Sequence, residues 1–243
     1  MPAKMPAKMP AKTKLPAQSA ASPAKTGSRI RPQKAAPAPK AGKSSAAKSA
    51  PAKSSSTKAI VHSSKTSYKG HVFSVTTDSV TEPGDVTSTR DVVRHNGSVI
   101  VLAVDASKNP DDPTILIERQ YRHPAEQFLL ELPAGRIEPG EPPLAAAKRE
   151  LIEETGYRAR KWSKLVRYFA SPGFLAETMQ IYLAEDIRPG KAAPEDDEKI
   201  ELLHIPLSEL LEAIHSGRVL DGKTMIGTLF YARWHFDKVK QSA

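Results

Sequence analysis

The chain reads as an α+β protein, a mixed sheet packed between helices as an α/β/α sandwich, preceded by an N-terminal strand pair and a disordered basic tail. Three observations predict this. Strand-like segments lie on both sides of one strongly helical stretch, residues 143–155, and two amphipathic segments close the chain. Charge divides the rest: residues 1–65 hold 14 of the 36 Lys and Arg and none of the 27 Asp and Glu, so they carry +14 while residues 66–243 carry −5.

The tail opens with MPAK three times and continues in Lys, Ala, Pro and Ser, without an aromatic residue. Such a composition cannot bury enough apolar surface to offset chain entropy, so residues 1–65 are expected to be disordered. Their charge suggests sequence-independent contact with nucleic acid or another polyanion; a solubilising extension with no dedicated partner is the plain alternative. No apolar run suits a signal peptide or a membrane span, and the chain has no cysteine, which excludes disulfides and thiolate chemistry. A cytoplasmic protein is expected. Residues 66–243 suffice for one good core.

Within that domain, residues 72–77 and 89–94 have strand composition around a turn at Glu82-Pro83-Gly84-Asp85. Ser98–Val104 is a continuous apolar run suited to a buried strand. The turn Lys108–Pro113 leads into a strand at Thr114–Gln120, and Phe128–Leu132 forms another. Beyond the central helix come strands near Trp162–Ala170 and Thr178–Ala184, a loop at 188–199, and a strand at Ile200–Ile205. Ser208 is placed to cap a helix through Ile214, buried through Leu207, Leu210, Leu211 and Ile214 and stopped by Gly217. Lys223–Val239 follows as the last helix.

The central helix carries the chemistry. Pro142 and Pro143 suit a helix start, Ala145 to Leu151 are good helix formers, and Gly156 suits the left-handed residue that ends it. At about 100° per residue, Leu144, Ala147, Leu151 and Thr155 share one side, flanked by Ile152, while Glu150, Glu153 and Glu154 occupy much of the opposite side. Three acids one turn apart, near the negative end of the helix dipole, repel one another. Arg149 offsets this in part. Such crowding points to a hard cation, Mg²⁺ or Mn²⁺, among oxygen ligands; the plain alternative is a solvated acidic face.

The spacing decides between them. Residues 135–157 fit G-x5-E-x7-R-E-U-x-E-E-x-G-U, with U bulky and aliphatic, at all seven fixed positions from Gly135 to Gly156; Tyr157 stands where the last aliphatic is usual. This segment resembles the signature of the Nudix hydrolase family. The resemblance implies a Nudix-type sandwich in which Glu150 and Glu154 are metal ligands and Glu153 is a further ligand or a base. It also implies that Arg149 orients the glutamates and that the Ala134 carbonyl contacts metal.

Ala170-Ser171-Pro172-Gly173-Phe174 sets Pro172 sixteen residues beyond Gly156. With residues 118–122, 131–135 and Asp221-Gly222-Lys223-Thr224, it is similar to the branch that cleaves ADP-ribose and other nucleoside diphosphate sugars. That branch implies hydrolysis of a diphosphate to two monophosphates, with substrate contacts from Arg90, Arg122 and Pro172 and base stacking on Phe73; Arg119 is a further candidate, because a guanidinium fork matches phosphate oxygens. It implies a catalytic base in a mobile acidic loop, here Glu198 with Glu195 and Asp196 as alternatives, and a homodimer completed by exchanged N-terminal strands. Two other classes stay open: a non-catalytic sensor of the same family, and a polyanion-binding protein acting through its tail.

Overall fold

In the computed structural model of the chain, residues 57–192 and 199–242 are described, residues 238–242 by their backbone alone. The first three strands form a separate antiparallel sheet: β1 (Ile60–Lys69), β2 (Ser74–Glu82) and β3 (Val86–Arg94), in that order. The turn between β2 and β3 falls at the expected residues, with positive φ at Gly84 and Asp85. Strand β1 corrects the expectation twice. It makes the N-terminal pair a sheet of three, and residues 60–65 belong to it rather than to the tail. Its ten residues are all exposed, so no alternation of buried and exposed positions marks it; β-branched Ile60, Val61 and Thr66 and its pairing with β2 hold it extended. Residues 1–56 lie outside the described residues.

The main sheet has seven strands. Its path runs β10 (Ile200–Pro206), β5 (Thr114–Arg122), β4 (Ser98–Asp105), β9 (Thr178–Arg188) and β8 (Arg158–Phe169). The short strands β6 (Gln127–Glu131) and β7 (Ala134–Arg136) pair with β5 and β4 respectively. β4 and β9 run parallel and the other pairs antiparallel, which is the mixed sheet expected.

β4 is the spine. Val99 to Val104 are almost wholly buried, and alternate residues serve opposite layers, as the period of two requires. Val99, Val101 and Ala103 pack with Ala147 and Leu151 of helix α1 (Pro143–Thr155). Ile100, Leu102 and Val104 pack with Leu207 and Leu210 of α2 (Leu207–His215) and Tyr231 of α3 (Gly222–Ser242). Two cores on one sheet make the sandwich.

The start of α2 departs from expectation. The helix begins at Leu207, and Ser208 does not cap it; Asp112 does so from the β4–β5 turn. Asp112 Oδ1 accepts the Ser208 backbone N–H at 2.8 Å and its Oδ2 accepts the Ser208 hydroxyl at 2.8 Å. The cap is 96 residues away in sequence, where no local pattern signals it.

Candidate active site

The site is built where β7 crosses the C-terminal half of α1. Ala146, Ala147, Glu150, Leu151, Glu154 and Thr155 are the buried residues of that helix, while Leu144 is 36% exposed. Two of the three acids are therefore turned inward, with Glu150 at 9% and Glu154 at 6% exposure, while Glu153 is only partly covered. Gly135 makes this possible. A Cβ there would fall 2.0 Å from Glu150 Cδ, so only glycine lets the carboxylate lie across the strand. Next to it, the Ala134 N–H donates to Glu154 Oε2 at 3.0 Å.

Arg149 fastens the remaining acids. Its Nε and Nη2 donate to the two oxygens of Glu141 at 3.0 and 2.9 Å, a bidentate fork. Its Nη1 donates to Glu150 Oε1 at 2.8 Å and to Glu153 Oε2 at 2.9 Å, and its Nη2 also reaches the Arg136 carbonyl at 3.1 Å. The hydrogen bond to Glu141 is the main force raising the Arg149 pKa well above its ordinary value, against burial and with help from Glu153 and Glu150. The same bond holds the Glu141 carboxyl below the usual carboxylate range. Gly156, at φ 73°, ends α1 with its N–H on the Ile152 carbonyl. A Cβ there would lie 2.5 Å from the Ala192 nitrogen, so this glycine also lets residues 190–192 pass.

A second charged group stands at the end of β6. Buried Glu131 accepts Arg122 Nε and Nη2 at 2.8 and 3.0 Å and also binds Lys223. Burial alone would raise the Glu131 pKa, but the Arg122 hydrogen bonds and Lys223 outweigh it and hold the group below its ordinary value. Lys223 also meets Asp221 Oδ1 at 3.0 Å. A third group joins β9 to β4: the Ser98 hydroxyl donates to Glu177 Oε1 at 2.6 Å, and His95 Nδ1, which accepts the Gly97 N–H, lies 3.5 Å from the same oxygen. Members of each group, namely Arg149, Glu150 and Glu153, Arg122 and Lys223, and His95, Ser98 and Glu177, line one cleft of about 450 Å³, together with Ala134, Gly135 and Arg136.

The donors fit a hard divalent cation: carboxylate oxygens, no thiolate, and a glycine-lined cradle that a Cβ would fill. Among the described residues no three acidic or imidazole side chains converge on one point. Arg149 Nη1 stands between Glu150 and Glu153, so an ion between those two would have to displace it.

Of the expected site residues, the cleft brings together Arg122, Ala134, Arg149, Glu150 and Glu153. Glu154 is buried behind them against the Ala134 N–H. Four expected substrate contacts do not line the cleft. Arg90 is spent on a fork to Glu82 at 3.0 and 2.6 Å, and Arg119 bonds Glu201 at 3.1 Å with its guanidinium 4.0 Å from the Phe128 ring centre. Phe73 packs beside Tyr68 with ring centres 5.6 Å apart, and Pro172 is exposed in the turn after β8. Glu198, Glu195 and Asp196 lie outside the described residues. Sequence reasoning left out Glu131, Glu177, His95, Ser98 and Lys223, although 131–135 and 221–224 already stood out as branch-like segments.

Comparison with known proteins bears on the family. Residues 94–223 match the NUDIX domain. The chain is similar to the ADP-ribose pyrophosphatase of Bacillus subtilis (strain 168), with 37% identity over 65% of this chain and 83% of that protein. It is also similar to the GDP-mannose pyrophosphatase of Yersinia pestis (strain Pestoides F), with 34% identity over 71% of this chain and 88% of that protein. A solved structure of an ADP compounds hydrolase superposes with a TM-score of 0.64 at 21% identity, covering 77% of this chain and 98% of that one, which supports the shared fold. With the domain match spanning more than half of its length and the signature intact from Gly135 to Gly156, the chain belongs to the NUDIX family.

Proposed function

We propose that this protein hydrolyses the diphosphate bond of ADP-ribose or a related nucleoside diphosphate sugar, such as GDP-mannose, to two monophosphates. The observation that carries the reading is the burial of Glu150 and Glu154 beside Gly135, on the wall of a cleft that also holds Arg122. Arg149 already meets Glu150, but two acids one turn apart at the negative end of a helix still repel each other, and a divalent cation would lower that cost further. Glu150 and Glu154 would hold a divalent ion, Mg²⁺ or Mn²⁺, together with the Ala134 carbonyl. That ion supplies charge neutralisation for the entering diphosphate and Lewis acidity toward its oxygens.

The chain's own residues do the rest. Arg149 keeps Glu150 and Glu153 in place through Nη1 and ties both to Glu141. Arg122 offers a guanidinium to a phosphate oxygen. A water oxygen bonds to phosphorus as the bridging P–O bond breaks, and a carboxylate takes the water's proton. Glu153, 41% exposed at its side chain, is the candidate base among the described residues; Glu198 is the other candidate. A non-catalytic sensor is not favoured, because every acid of the signature is retained.

We also infer a homodimer. β1 is exposed along its whole length, with Ile60, Val61 and Tyr68 on it and Val72 and Phe73 in the turn that follows all exposed, apolar side chains that a second copy would cover.

The experiment is a substrate panel with Mg²⁺: ADP-ribose, GDP-mannose, UDP-glucose and ATP, with products resolved by chromatography. The expected result is AMP and ribose 5-phosphate from ADP-ribose, or the corresponding pair from another sugar nucleotide, abolished by a chelator. No hydrolysis of any sugar nucleotide, or full rates in the chelator, would overturn the proposal.

A further inference from the structure

Strand β8 is an edge of the main sheet: β9 pairs with one side of it, and among the described residues no strand pairs with the other. Its sequence, RARKWSKLVRYF, holds five cations in twelve residues and no acid. Arg158, Arg160, Lys161, Lys164 and Arg167 are all exposed. Charge on an open edge discourages pairing with another sheet, but that task does not call for a cation at nearly every second position.

The register sharpens this charge. Arg158 stands directly opposite Arg188 of β9, and like charges directly across a ladder destabilise it. Neighbouring acids answer little of it. Lys161 faces Glu185 across the strands, and Arg160 comes no nearer than 3.5 Å to Asp186, between side chains 67% and 40% exposed. Solvent screens such a contact to almost nothing. Lys164 Nζ donates to the neutral Gln180 Oε1 at 3.0 Å, and Arg167 stands opposite the same glutamine. Six cations against two acids leave this edge at a net +4, in a domain where residues 66–243 sum to −5.

The shape of the patch says what it suits. From Arg158 to Arg167 the edge extends about 30 Å at the usual strand rise, a line rather than a pocket. A line of cations fits a chain of anions better than a single small one. Four of the six are arginines, whose planar guanidinium takes two phosphate oxygens at once. Phe169, the last residue of the strand, is 55% exposed, an aromatic face in the same line as the cations. Residues 1–56 bring 12 more Lys and Arg and no acid to the same chain.

We propose that the β8 edge is a binding surface for single-stranded nucleic acid, in which the cations track the phosphates and Phe169 stacks on an unpaired base. None of these residues lines the cleft, so the surface stands apart from the hydrolase reading. Fluorescence anisotropy of the full-length protein with labelled oligo(dT) and oligo(U) of about 20 nucleotides tests it. The variant Arg158→Gln/Lys161→Gln/Arg167→Gln is compared with Lys108→Gln/Lys148→Gln/Arg233→Gln, which removes three exposed cations elsewhere. Loss of three phosphate contacts predicts binding weakened about tenfold or more, and a plot of log affinity against log salt shallower by about two. The control set should stay within about threefold of the parent. Phe169→Ala should weaken binding about fivefold or more with the salt slope unchanged, which reads stacking apart from charge. Should the triple variant fail to fold, its three single substitutions replace it, each flattening the slope by about 0.7. A parent that binds neither oligonucleotide overturns the proposal, and so does an edge variant that binds like the parent, which leaves the binding to residues 1–56. Equal losses in the edge and control sets overturn it too. So does tighter binding of a duplex of the same length, or capture by anionic phospholipid vesicles in place of either oligonucleotide.

Discussion

At the scale of single residues, the site depends on side chains that are absent as much as on those present. Gly135→Ala would set a Cβ 2.0 Å from the Glu150 carboxyl. A glutamate side chain can swing aside, so the expected outcome is misplacement rather than unfolding: kcat lower by about ten- to a hundredfold, with a thermal midpoint close to the parent's. Parent-like kcat would show that the position of Glu150 is unimportant. Glu131 makes a pH prediction. Its folded pKa is depressed by Arg122 and Lys223 despite burial, so its contribution to stability is complete above the unfolded value of about 4.3. That contribution fades as pH falls through the lower folded value. Thermal unfolding of the parent and Glu131→Gln should therefore differ most near neutrality, with the gap narrowing as pH falls below about 4.3; a constant gap across that range contradicts the linkage. The signature was legible in the sequence because its residues sit at fixed local offsets. That Glu150 and Glu154 point inward was not, because the helix projection set Leu144 on the buried side, and only the closeness of β7 at Gly135 turns the acids under.

At the scale of elements, boundaries followed local chemistry wherever the chemistry was local. Helix α1 runs over the expected 143–155, from Pro143 to the left-handed Gly156. β4, a continuous apolar run, is the buried centre strand. The misses are elements held by distant partners. β1 alternates nothing because both of its faces are exposed, and β7 is three residues long, stabilised by β4 across 36 residues of chain. The α2 cap is of the same kind. Asp112→Ala should cost about 1 kcal/mol, a fall of a few degrees in the thermal midpoint, while leaving kcat unchanged. An unaltered midpoint would mean that the Asp112–Ser208 contacts contribute nothing.

At the scale of the whole molecule, one sheet separates two cores, and the cleft opens beside the strand that both cores share. The arrangement lets α1 present its acids against β7 while α3 presents Lys223 at the end of β6. The N-terminal sheet joins this body at few points: Arg136 Nη1 donates to the His71 carbonyl at 3.0 Å, and Val93 exchanges backbone bonds with Phe174 and Ala176. Three strands that leave Ile60, Val61 and Tyr68 exposed are marginal alone. In light scattering the protein should therefore show twice the 26.4 kDa of one chain, and Val61→Lys with Tyr68→Lys should shift it toward the monomer. A parent that stays monomeric at tens of micromolar contradicts the dimer.

The central claim is that the inward acids of α1 hold the cation on which hydrolysis depends, and turnover of Glu154→Gln tests it most directly. The amide keeps the shape of the side chain and can still accept the Ala134 N–H, but it is a poorer cation ligand. The expected kcat on ADP-ribose with Mg²⁺ is lower by about a hundredfold or more, with the fold retained in thermal unfolding. Equal turnover by Glu154→Gln and the parent would contradict it.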